Sequence, residues 1–175
     1  MTNLGLIHVY TGDGKGKTTA AIGLSLRAAE YGFRIAIFQF MKAYVTESGE
    51  IKAIKRFPNV SVKRYGANLL AKDHPPVDEI KKEIADGLRE ALEISKKRGC
   101  DFLILDEINV ALSLGLAELD EVKRLIDLCK GSIEIVMTGR GAPQQIINLA
   151  DYVTEFRAIK HPFGSGISAR RGVEF

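Results

Sequence analysis

Short apolar, β-branched runs recur along the chain and alternate with segments whose apolar residues return every three or four positions. The runs Leu6–Tyr10, Arg34–Phe40, Val60–Tyr65, Phe102–Leu105 and Ile133–Thr138 read as strands. Tyr152–Ile159 alternates apolar with polar residues and reads as a sixth strand, nearer an edge. Between them, Thr18–Tyr31 carries no charge until Arg27 and predicts a helix packed on most sides. Val77, Ile80, Ile84, Leu88 and Leu92 line one face of a second helix, leaving Lys81, Lys82, Glu83 and Arg89 on its wet face. Leu119, Val122, Ile126 and Cys129 mark a shorter third one. The lysines of these helices read as solvated faces rather than a binding stripe. Strands alternating with helices predict βαβ units, an α/β fold in three layers around a mostly parallel sheet of about six strands. Ala43–Glu50, Gly66–Pro76 and His161–Phe175 look least regular, and no repeat or linker divides the chain.

Composition narrows the class without deciding it. The 175 residues suit a single domain spanning 1–175, with an apolar share of 46% and a charged share of 27%. No apolar run approaches the ~18 residues of a membrane-spanning helix. The N-terminus runs straight into a strand with no basic segment and apolar core of a secretion signal, so a cytoplasmic protein is expected. A net charge of +3 is too small to argue for nucleic acid. Cys100 and Cys129 lack metal-ligand spacing and read as buried free thiols of a reducing compartment.

The chemistry is concentrated in Thr11-Gly12-Asp13-Gly14-Lys15-Gly16-Lys17-Thr18-Thr19, which leaves a predicted strand and opens a predicted helix. Glycines at 12, 14 and 16 let the backbone turn tightly and aim successive N–H groups inward as an anion nest. The helix N-terminus adds free donors and a positive dipole end. Lys17 supplies a charge for the phosphates of ATP, and the Thr18 hydroxyl a ligand for Mg²⁺. The GxxxxGK[ST] pattern of a P-loop asks for glycine at 11, where this chain has Thr11. An empty loop with Lys15 and Lys17 flanking a glycine would repel itself, which a polyanion relieves.

The apolar run Asp101–Leu105 ends in Asp106-Glu107, two carboxylates of the kind that hold a metal opposite a P-loop hydroxyl. Thr138-Gly139-Arg140-Gly141 also leaves a strand at its carboxyl end, where parallel sheets bind ligands, and Arg140 could reach a phosphate.

These segments closely resemble the ATP:corrinoid adenosyltransferases of the CobA/CobO/BtuR type. The likeness covers the P-loop with its leading threonine, Gln39-Phe40-Met41-Lys42, Leu105-Asp106-Glu107-Ile108-Asn109 and Thr138-Gly139-Arg140-Gly141. It continues into a tail, Lys160-His161-Pro162-Phe163, Gly166-Ile167-Ser168-Ala169 and Gly172-Val173-Glu174-Phe175. The resemblance implies a RecA-like P-loop fold, a homodimer, and transfer of the 5′-deoxyadenosyl group of ATP to the cobalt of a reduced corrinoid. Inorganic triphosphate leaves, and ATP lies reversed in the loop so that C5′ meets the nucleophile. Because cob(I) is itself a strong nucleophile, the protein needs no general base, only positioning and neutralisation of the leaving group. Lys17 and Glu107, with Gly12 to Thr18 and Mg²⁺, would perform that neutralisation. A flavoprotein reductase is the implied electron-donating partner.

Where the family commonly carries a Gly-x-Gly-Phe-x-Trp-like segment covering the corrinoid's lower face, this chain has Gly66-Ala67-Asn68-Leu69-Leu70-Ala71. Leu69 and Ala71 then stand as the corrinoid-facing candidates. Two other readings of the P-loop stay open on the residues alone. One is a kinase or ATPase acting on the γ-phosphate, with Arg140 as its finger. The other is a non-catalytic ATP-binding RecA-like module, whose polymerising segment or basic aromatic face is not visible. The tail discriminates, since neither alternative accounts for it.

Overall fold

A computed structural model of the chain describes residues 4–69, 71, 73–160, 166 and 169–173. Six strands, β1 (Ile7–Thr11), β2 (Ile35–Phe40), β3 (Val60–Tyr65), β4 (Phe102–Asp106), β5 (Glu134–Thr138) and β6 (Tyr152–Glu155), form one sheet. Their order is β3-β2-β4-β5-β1-β6, and every pairing is parallel. β1 pairs with β5 (Ile7 opposite Ile135) and with β6 (His8 opposite Tyr152), so β5 separates the phosphate-loop strand from the acidic strand β4.

Helices α1 (Lys17–Glu30), α2 (Gly49–Ile54), α3 (Val77–Lys96), α4 (Ile108–Ser113), α5 (Leu119–Cys129) and α6 (Gln144–Ile147) supply the connections. Strand residues alternate between two cores. Ala36, Phe38, Leu103, Leu105, Ile135 and Met137 pack with Ile80, Ile84 and Leu88 of α3 and Val122 and Ile126 of α5. Ile35, Ile37, Phe102, Ile104 and Val136 pack with Ala21, Ile22, Ala28 and Ala29 of α1 and Ile51 and Ile54 of α2. The three-layer expectation holds, with the sheet wholly parallel.

Differences from expectation have physical causes. β6 stops at Glu155 rather than continuing to Ile159, because the chain turns there to run beneath the phosphate loop: Phe156 N–H donates to Thr11 O at 2.8 Å and Gly14 N–H to Phe156 O at 2.7 Å. α1 is not packed on most sides; Thr19, Gly23, Leu26 and Arg27 are exposed, with Leu26 at 48%. Its uncharged stretch is small rather than apolar, and beyond Lys17 its buried residues are Ala21, Ile22, Ser25, Ala28 and Ala29. α2, α4 and α6 have six, six and four residues, too short for the window in which helical periodicity is legible. Cys100 and Cys129 are free and buried. Of the tail that carries the resemblance, residues 161–165, 167, 168, 174 and 175 lie outside the described residues, as does Leu70.

Candidate active site

Because all strands run the same way, their carboxyl ends meet at one edge, and β2, β3, β4 and β5 or the turns after them contribute side chains there. A cleft of about 910 Å³ opens at that edge, lined among others by Lys17, Thr18, Lys42, Glu107 and Arg140. Residues 13–19 form its floor, and Val45, Arg64 and Asn68 lie along its wall.

The phosphate loop is shaped as much by its neighbours as by its own torsions. Gly12 (φ 93°) and Gly16 (φ 111°) sit where side chains are strained. At Gly14 the restriction is space, since a Cβ would lie 2.7 Å from the backbone carbonyl carbon of Phe156. Thr11, in place of the usual glycine, accepts the Ala142 N–H on its hydroxyl at 3.2 Å and so ties the loop to the turn that carries Arg140. The Lys17 ammonium donates to the loop's own carbonyls, Gly12 O at 2.6 Å and Gly14 O at 2.8 Å. Burial lowers the Lys17 pKa, with Glu107 opposing that shift. Arg140 and Asp13 reach across the mouth, 3.9 Å apart and both exposed.

Asp106 is the hub. It is fully buried, and both oxygens are engaged. Oδ1 accepts the hydroxyls of Thr18 (2.8 Å) and Thr138 (2.7 Å); Oδ2 accepts Gln39 Nε2 (2.9 Å) and Lys42 Nζ (2.8 Å). Burial alone would raise its pKa, but Lys42 and the two hydroxyls hold it below the usual carboxylate range. Its neighbour Glu107 goes the other way: burial raises it, against the pull of Lys42. Glu107 caps α4 in the left-handed region (φ 63°) and lines the cleft. Met41 is left-handed as well (φ 58°), and that turn returns Lys42 from the end of β2 to Asp106. Two non-glycine residues in this region, each costing ~1–2 kcal/mol, are the kind of strain that concentrates at functional sites.

The structure therefore brings Gly12, Asp13, Gly14, Lys15, Gly16, Lys17, Thr18, Thr19, Asp106, Glu107 and Arg140 to one edge. Leu69 is half-buried against the α3 core and Ala71 is exposed; the cleft is lined by their neighbour Asn68 instead. Sequence reasoning gives no role to Gln39, Lys42, Arg64 or the Thr138 hydroxyl. Gln39, Lys42 and Thr138 stand in segments that carry the resemblance, and what points to a role for all four is position, since each lies near or just past the carboxyl end of a strand.

The oxygen donors gathered here are a hydroxyl and carboxylates, hard ligands of the kind magnesium would take together with substrate phosphates. Lys42 Nζ already lies among them, 3.4 Å from Thr18 Oγ1 and 3.8 Å from Glu107 Oε1, so the pocket accepts positive charge.

Comparison with known proteins agrees with this geometry. In fold, the chain is similar to a KaiC-like protein of Pyrococcus horikoshii, with a TM-score of 0.55 at 17% identity over 89% of this chain and 72% of that one. In sequence it is 36% identical to a corrinoid adenosyltransferase of Pseudomonas aeruginosa, covering 98% of this chain and 84% of that protein. It is 37% identical to one from a Sinorhizobium species (98% and 80%) and 29% identical to one from Salmonella typhimurium (98% and 86%). Residues 3–175 match the family described as ATP:corrinoid adenosyltransferase BtuR/CobO/CobP, and the chain belongs to that family.

Proposed function

We propose that this transferase adenosylates a reduced corrinoid with ATP: cobalt(I) attacks C5′, a Co–C bond forms, the C5′–O bond breaks, and triphosphate departs with the electron pair. The observation that supports it is the family match over residues 3–175, joined to a cleft whose ligand edge offers a phosphate loop and a hydroxyl–carboxylate pair. Residues 12–18 hold the triphosphate by backbone N–H groups, and Lys17 leaves its two carbonyl partners to meet the charge that grows on the leaving oxygen. Magnesium, when bound, neutralises part of that charge. Thr18 and Glu107 would hold it directly, because both Asp106 oxygens already accept hydrogen bonds; Asp106 orients the Thr18 hydroxyl. Arg140 closes the mouth over the polyphosphate. We assign the corrinoid to the wall near Asn68; Leu69, packed against the α3 core, and Ala71 do not line that wall, so they give it less cover than aromatic rings would. The enzyme acts as a homodimer in the cytoplasm, with a flavoprotein reductase as electron donor.

Anaerobic incubation with ATP, Mg²⁺ and chemically reduced cobalamin tests the reading. The visible spectrum should turn to that of the adenosylated product, one triphosphate should appear per turnover, and Lys17→Ala should abolish both. ADP and orthophosphate formed in step with turnover would instead assign the site to γ-phosphate chemistry.

A further inference from the structure

Lys42 lines the cleft, the reaction above gives it no task, and its placement is specific. Its ammonium lies 2.8 Å from Asp106 Oδ2, 3.4 Å from Thr18 Oγ1 and 3.8 Å from Glu107 Oε1. A cation held by Thr18 and Glu107 must enter that same volume, since magnesium–oxygen bonds are ~2.1 Å. Two like charges cannot share it. The side chain is long, about a quarter exposed, and borders the same cleft as Lys17, so it has somewhere to go.

We infer that Lys42 is a resident counter-ion that a divalent cation displaces, its ammonium passing from Asp106 to the triphosphate in the same cleft. The inference rests on the metal reading given above. The exchange keeps the buried Asp106 neutralised before nucleotide arrives and supplies an additional positive charge to the leaving group afterwards. It also couples metal and nucleotide: metal alone must evict Lys42 with nothing to receive it, whereas metal with ATP provides the receiving phosphate.

Manganese, whose free ion is counted by electron paramagnetic resonance, is titrated into wild type and Lys42→Gln, each with and without ATP. Glutamine keeps a donor for Asp106 and removes the charge. Without ATP the variant should bind manganese about tenfold more tightly than wild type, while manganese–ATP should bind it more weakly. Opposite signs in one variant are not what simple damage to the site produces. No gain for manganese alone overturns the exchange. A wild type that takes up no manganese even with ATP overturns the metal reading, and the exchange with it. Lys42→Arg, which keeps the charge, should match wild type toward manganese alone; a gain there would make repacking the cause and sink the idea. Should Lys42→Gln fail to fold, reductive methylation of wild type replaces it: manganese alone should raise modification at Lys42, and no rise would refute displacement.

Discussion

Asp106 and Glu107 are adjacent in the chain, yet burial and partners set them to different work. Asp106 has no exposed surface and gathers four donors, three of them from other strands' ends or from α1. Asp106→Ala would leave a partly exposed ammonium, a buried amide and two hydroxyls without their acceptor. It should cost ~1–3 kcal/mol of stability, as leaving buried donors unsatisfied does, read from urea unfolding. Glu107→Gln should leave that midpoint nearly unchanged and lower turnover, raising the Mg²⁺ concentration needed for half-maximal rate. Equal stability losses in the two variants would contradict this division of labour. The pair is visible in the sequence as two acids at a strand end; the division is not, because it is made by Gln39, Lys42 and Thr138. Gln39 lies on β2, Lys42 just past it and Thr138 at the end of β5, and no spacing rule links them to position 106.

At the scale of elements, two glycines inside helices show opposite reasons for being there. Gly87 of α3 lies under Tyr65, where an added Cβ would meet the ring at 2.7 Å. Gly23 of α1 meets nothing within 4 Å. Alanine is the better helix former by ~1 kcal/mol at an open position. Gly23→Ala should therefore raise the unfolding free energy by about that amount. Gly87→Ala should lower it by ~1–3 kcal/mol through overpacking against a ring that β3 and α3 hold in place. Thermal melts of the two single variants decide it, and a stabilised Gly87→Ala would show that Tyr65 has room to move. The long elements were legible because their patterns are long: α3 runs for 20 residues with one buried face, and each central strand is a continuous apolar run. α2 and α4 have less than two turns and α6 barely one, so they take their form from what they pack against rather than from periodicity. In the segment the sequence offers for a corrinoid, Asn68 rather than Leu69 or Ala71 borders the cleft.

Across the whole molecule, the sheet's two covered faces protect groups that would otherwise react. Cys100 and Cys129 lie within one core, and burial pushes the Cys100 thiol up to about 12, with Cys129 adding to the shift. Disulfide reagents that need the thiolate should label neither residue in the native protein at pH 8, and both once urea unfolds it. Rapid native labelling would mean the α3–α5 side opens readily. The sign for stability follows: an unfolded thiol ionises near ~8.5, whereas native Cys100 keeps its proton until about 12. Alkali through that window therefore favours the unfolded chain, and chemical denaturation midpoints should fall as pH rises across it. The strand order carries a further consequence, about time rather than space. β1 emerges first from the ribosome, but its hydrogen-bonding neighbours are β5 and β6, and the loop after it is braced by Phe156. A nascent chain halted before β5 holds every residue of the phosphate loop but neither β5 nor β6, the strands that flank β1. ATP, which stabilises only what it can bind, would thus favour finished chains over partial ones, a quality check written into the order of synthesis.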